Sequence, residues 1–96
     1  MIKIIARRVV RAENIEQYEA LARELVEKSQ AEAGNVSYTL NKSIGDPKVH
    51  TFIEIWKDQA AIDAHNASEH FTRLVPQLGA LVEQADPVEL YTELSW

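Results

Sequence analysis

Three histidines, His50, His65 and His70, are the side chains of this chain whose ordinary charge change falls near neutral pH. There is no cysteine, which removes disulfides, thiolate zinc sites, iron–sulfur clusters and a thiol nucleophile from the candidate chemistries. His65 and His70 stand five apart in His-Asn-Ala-Ser-Glu-His, across a capping break at Ser68. They are therefore not the i,i+4 pair on one helix with which zinc hydrolases hold their metal. A metal would need a further ligand that the spacing does not supply, and none is expected. His65 shares a side of its segment with Ala61 and Ile62 and so faces inward. Two readings stand for it: a half-buried imidazole bonded to a backbone carbonyl, or a pocket group that holds or accepts a substrate proton. His50, near a hairpin turn, is expected at the surface.

Glu54 lies in mid-strand between Phe52 and Trp56. A buried, unpaired carboxylate is costly, so Glu54 must meet an Arg or His partner or border a wet cavity. Trp56, with an apolar body and one N–H donor, suits a core or a pocket wall. No GxGxxG, Walker, GxSxG or EF-hand pattern is present.

The elements that must position these groups follow from periodicity. Ile2 to Arg11 carries apolar groups on both faces, with Ile2, Ile4 and Val10 on one and Ile5 and Val9 on the other. That is a central strand. From Asn14 the period becomes 3.6, with a stripe of Ile15, Tyr18, Leu21, Ala22, Leu25, Val26 and Ser29. Asn14 with Gln17 predicts a capping box, Glu19–Arg23 and Glu24–Lys28 predict outer i,i+4 pairs, and Gly34 predicts a C-cap with the helix running to Ala33. Asn35 to Ser43 alternates as an edge-like strand, with Val36, Tyr38 and Leu40 on one face. A turn at Ile44-Gly45-Asp46-Pro47 returns it as a second arm, Val49 to Lys57, whose His50, Phe52, Glu54 and Trp56 share a face. Asp58 caps a short helix to Asn66. Ser68 caps another with the stripe Phe71, Leu74, Val75, Leu78, Leu81 and Val82, expected to bend or restart at Pro76. Pro87 opens a last strand through Leu94. The order is β-α-β-β-α-β with the second α divided, an α+β ferredoxin-like sheet in the order 4-1-3-2 with its helices on one face.

No linker or repeat divides the chain, so residues 1–96 read as one domain. Ten basic against 15 acidic residues give a net charge of −5, which disfavours sequence-independent nucleic-acid binding. No apolar run is long enough to span a membrane, and the first residues enter a strand pattern rather than a leader, so the expected location is the cytoplasm. The other sheet face is too apolar for water, and a chain this short gains from a partner. A homodimer with sheet packed on sheet is expected.

The stretch Glu32-Ala-Gly-Asn-Val-Ser-Tyr38, then Phe52-Ile-Glu-Ile-Trp-Lys57, Ala61 to His65, and Ser68-Glu-His-Phe71 resembles the antibiotic biosynthesis monooxygenase (ABM) family over essentially the whole chain. The resemblance implies a dimeric α+β barrel with a ligand cavity between sheet and helices. It implies cofactor-independent oxygenation of a quinol or related aromatic small molecule by O2, the substrate acting as its own reductant. His65, Trp56 and His70 would then be the polar catalytic groups, with Tyr38, Phe52, Glu54 and Phe71 about the substrate. The haem-degrading branch carries a Trp where this chain has His65 and a His where it has Val75, so the haem ligand is missing. The polyketide branch matches at Trp56 but has an Asn where this chain has Phe52. An isomerase of a small phosphorylated carbonyl signal molecule, with His65 and Glu54 shuttling a proton, is the alternative, and a non-catalytic ligand-binding dimer is a third reading.

Overall fold

A computed structural model describes residues 1–96. The chain runs β1 (Ile2–Val10), a 3-10 turn (Ala12–Asn14), α1 (Ile15–Gln30), β2 (Asn35–Lys42), β3 (Val49–Trp56), α2 (Gln59–Asn66), α3 (Glu69–Gly79), β4 (Val82–Ala85) and β5 (Glu89–Thr92). It is an α+β fold with one antiparallel sheet in the order β2-β3-β1-β4, with β5 also on β1. β1 sits in the middle, as its two apolar faces require. It pairs with β3 from Ile2↔Trp56 to Val9↔Val49.

One sheet face carries the helices. Ile4, Ala6 and Val10 of β1, Tyr38 of β2 and the whole even-numbered set of β3 are buried beneath Tyr18, Ala22 and Leu25 of α1, Ile62 of α2, and Leu74 and Leu78 of α3. Each fully buried leucine contributes about 1.5–3 kcal/mol, so this layer holds the helices to the sheet. Asp58 and Ser68 cap α2 and α3, accepting from the backbone N–H of Ala61 and Phe71. No helix is long and apolar enough to cross a membrane.

Several local expectations are corrected. α1 stops at Gln30, and Gly34 has no positive φ, so it is not a left-handed C-cap. Its lack of a side chain serves packing: a Cβ there would overlap that of Ala61 in α2. Asn14 makes no side-chain cap; its amide donates instead to the Leu81 carbonyl at 3.4 Å. Glu24–Lys28 forms at 2.9 Å, but Arg23 pairs with Glu27. Val36 is 51% exposed because the β2–β3 register slips between Asn35 and Ser37, which leaves Val36 as the extra residue of a bulge.

α3 passes through Pro76 without restarting and ends at Gly79. Leu81 and Val82, which fit its stripe, leave the helix, and β4 pairs with the free edge of β1 at Arg8–Val10. β5 pairs with that edge lower down, at Ile2–Ile5. The last strand is thus one edge strand in two pieces. The break falls at Asp86-Pro87-Val88, where Pro87 has no N–H to give.

Candidate active site

Between the helices and the inner sheet face lies a cavity of about 730 Å³, within the range that holds a small organic ligand. Of its 20 lining residues 14 are hydrophobic, so the few polar groups decide its chemistry. Arg8 is its only Lys or Arg and Glu54 its only carboxyl.

Of the residues singled out by sequence, Tyr38, Phe52, Glu54, His65 and Phe71 line the cavity. The parity of β3 explains two of them, because Phe52 and Glu54 are two apart on the face that α2 covers. Trp56 and His70 do not line it. Trp56 is fully buried behind the wall, its ring stacked on His65 with centroids 4.5 Å apart. Its indole N–H donates to Glu54 Oε1 at 2.9 Å, so the partner of Glu54 is neither Arg nor His. His50 is only 1% exposed, which corrects its expected surface position. It bonds Glu19 at 2.7 Å and meets the edge of Tyr18, holding α1 to β3 away from the cavity.

His65 sits on the inward side of α2, boxed by the rings of Tyr38, Trp56 and Phe71. Its Nδ1 lies 2.7 Å from Glu32 Oε2, and His70 Nε2 approaches the same oxygen at 2.8 Å. A carboxylate only accepts, so Nδ1 carries the proton, and Nε2, which bonds no group of the chain, keeps its lone pair. Burial holds the His65 pKa below its ordinary value, against the opposing pull of Glu32, so the imidazole is neutral near pH 7. Burial pushes the Glu54 carboxyl up to about 7, with the Trp56 N–H and the Arg8 charge acting the other way. Near neutrality Glu54 can either hold or release a proton. Tyr38 is held well above its usual value by burial and by the Glu54 charge, and stays a neutral phenol.

Glu32 is the residue sequence reasoning passed over, although it opens the Glu-Ala-Gly-Asn stretch that supports the family resemblance. It supplies the third group that the His65–His70 spacing lacked. The donor atoms of Glu32, His65 and His70 lie within 4.8 Å of one another. Their contacts have hydrogen-bond lengths, whereas zinc with bonds of about 2.0–2.1 Å spreads neighbouring donors to roughly 3.3 Å. Arg8 was also missed, although its parity with Ile4, Ala6 and Val10 puts it on the inner face of a central strand.

A ferredoxin-like sheet roofed by helices over an apolar chamber, with one histidine backed by a carboxylate, is the frame of this α+β domain. The family model for antibiotic biosynthesis monooxygenase matches residues 1–77, and the chain belongs to that family. "Putative monooxygenase YcnE" of Bacillus subtilis is 37% identical over 75 residues, 78% of this chain and 79% of that one. A crystal structure of an antibiotic biosynthesis monooxygenase superposes with a TM-score of 0.94 at 42% identity, covering 99% of this chain and 100% of that one. PA3566 from Pseudomonas aeruginosa superposes with a TM-score of 0.89 at 31% identity, covering 98% and 94%.

Proposed function

We propose that this chain is a monooxygenase of a quinol or related hydroxy-aromatic small molecule, working as a homodimer without metal or flavin. The observation that carries the reading is His65: a neutral imidazole in the lining of an apolar cavity, with Nδ1–H on Glu32 and Nε2 unbonded within the chain. Family membership and the monooxygenase names of its relatives support the reaction class.

Nε2 takes the hydroxyl proton, and the dry surroundings strengthen that hydrogen bond. The resulting quinolate is electron-rich enough to pass one electron to O2, and the radical pair joins at carbon as a peroxide. Loss of water leaves a carbonyl. A CH2 of the keto tautomer becomes C=O, one oxygen atom of O2 enters the product, the other leaves as water, and the substrate supplies all four electrons. Glu54 in its protonated form and the Tyr38 hydroxyl are the hydrogen-bond donors to the developing oxyanion.

A homodimer is favoured by what the single chain leaves uncovered. Tyr91 and Leu94 are about half exposed or more, and Ile5, Ile53 and Ile55 stay partly exposed on the sheet face away from the helices. Oxygen uptake with a panel of hydroquinones and naphthohydroquinones tests the activity. His65-dependent uptake is expected. No uptake across the panel, with proton exchange into a small carbonyl compound under nitrogen, would favour the isomerase reading instead.

A further inference from the structure

Arg8 is half-buried on the inner face of β1, opposite His50 and Ala85 in the sheet. Both donors it uses belong to Nη1, which reaches the Arg7 carbonyl at 2.9 Å and the Asp86 carbonyl at 3.0 Å. The second bond tethers the guanidinium to the break between β4 and β5, and the first to β1 itself. Nε and Nη2 bond nothing in the chain. No carboxylate pairs with Arg8: Asp86 turns its carboxyl to Arg7 at 3.0 Å, and Glu54 accepts from Trp56.

The carboxyls of Glu54 and Asp86 feel the Arg8 charge without bonding to it, so a guanidinium on an apolar chamber keeps donors free for an anionic ligand. The unused Nε–Nη2 edge is the side of a guanidinium that meets a carboxylate or phosphate through two parallel hydrogen bonds. It is held in place beforehand, so little side-chain entropy is lost on binding. We propose that Arg8 anchors an oxyanion, carboxylate or phosphate, carried by the hydroxy-aromatic ligand of this cavity. The ligand's hydroxyl then lies toward His65 and Glu54, and its anionic substituent toward the β4–β5 break. This assignment rests on the cavity being the quinol site proposed above and narrows its substrate class to anionic quinols.

Calorimetry under nitrogen separates binding from turnover. The probes are hydroquinone, 2,5-dihydroxybenzoate, its methyl ester and 4-hydroxyphenyl phosphate, each against wild type, Arg8→Gln and Arg8→Lys. On wild type, at least one of the two anions should bind about 10-fold or more tightly than both neutral probes, as expected for a charge-assisted bidentate pair. Which anion gains more distinguishes carboxylate from phosphate. Arg8→Gln should erase the preference while leaving the neutral probes within about 2-fold, and Arg8→Lys, which keeps the charge without the side-on edge, should retain only part of it. Neutral probes binding as tightly as the anions, or a preference that survives Arg8→Gln, would overturn the anchor and leave the quinol reading standing. Failure of all four probes to bind would overturn both.

Discussion

The Nδ1 of His65 lies 2.7 Å from Oε2 of Glu32, joining α2 to the segment after α1 and fixing which imidazole nitrogen carries the proton. The two residues are 33 positions apart, and their meeting depends on how α2 packs beside the start of β2.

Glu32→Gln leaves the shape of this contact but lets the amide donate to Nδ1, which would put the proton on Nε2. Turnover of a quinol should fall by about 10²-fold or more, the sign of a wrong tautomer, with the fold intact. Glu32 also raises the His65 pKa, so the acid limb of the pH–rate profile should move to lower pH in the variant. Equal rates and superimposable profiles would remove Glu32 from the positioning role.

Glu54 links pH to stability. Its folded-state pKa of about 7 lies above the ordinary carboxylate value of 4.5, so between these values the native state holds a proton that the unfolded chain releases. Its contribution to stability is therefore lost as pH rises through that window. Glu54→Gln can still accept from Trp56 and carries no charge, so it should gain about 1–3 kcal/mol over wild type at pH 8 and little at pH 4. Urea unfolding at the two pH values checks this; a gain of the same size at both would refute the linkage.

Gly34→Ala places a methyl against Ala61, one turn before His65 on α2. The expected loss is about 1–3 kcal/mol from overpacking. Adding Ala61→Gly should restore most of it. A Gly34→Ala variant as stable as wild type would show that α2 can shift away from β2 at no cost.

A particle of twice 10.9 kDa should persist at micromolar concentration in light scattering. Changing two of the exposed apolar residues, Tyr91→Glu with Leu94→Glu, should shift it toward the monomer. A folded wild-type monomer at that concentration would rule out the homodimer.

The sheet order and both split helices were legible because alternation and the 3.6 period are local and strong, and because Asp58 and Ser68 mark their starts. β4 was not legible, since Leu81 and Val82 satisfy the helical stripe and only the unpaired edge of β1 draws them away. The shared face of β3 was readable by parity, and the family resemblance put Phe52 and Glu54 of that face about the substrate. Parity does not separate the wall from what stands behind it: Trp56 suits a core or a pocket wall by its chemistry, and only packing puts it behind the wall. His50 looked superficial because its nearness to the turn is a sequence fact, whereas its cover, Tyr18 and Glu19 of α1, comes from tertiary packing. Glu32 was visible as a residue, but its contact with two histidines across 33 and 38 positions was not.

Oxygen consumption by wild type and His65→Ala, with one quinol well above its KM and at matched protein concentration, is the most direct test of the proposed chemistry. Removing the base should lower kcat by about 10²–10⁴-fold while circular dichroism shows the fold retained. Equal rates for the two proteins would contradict it and return His65 to a structural role.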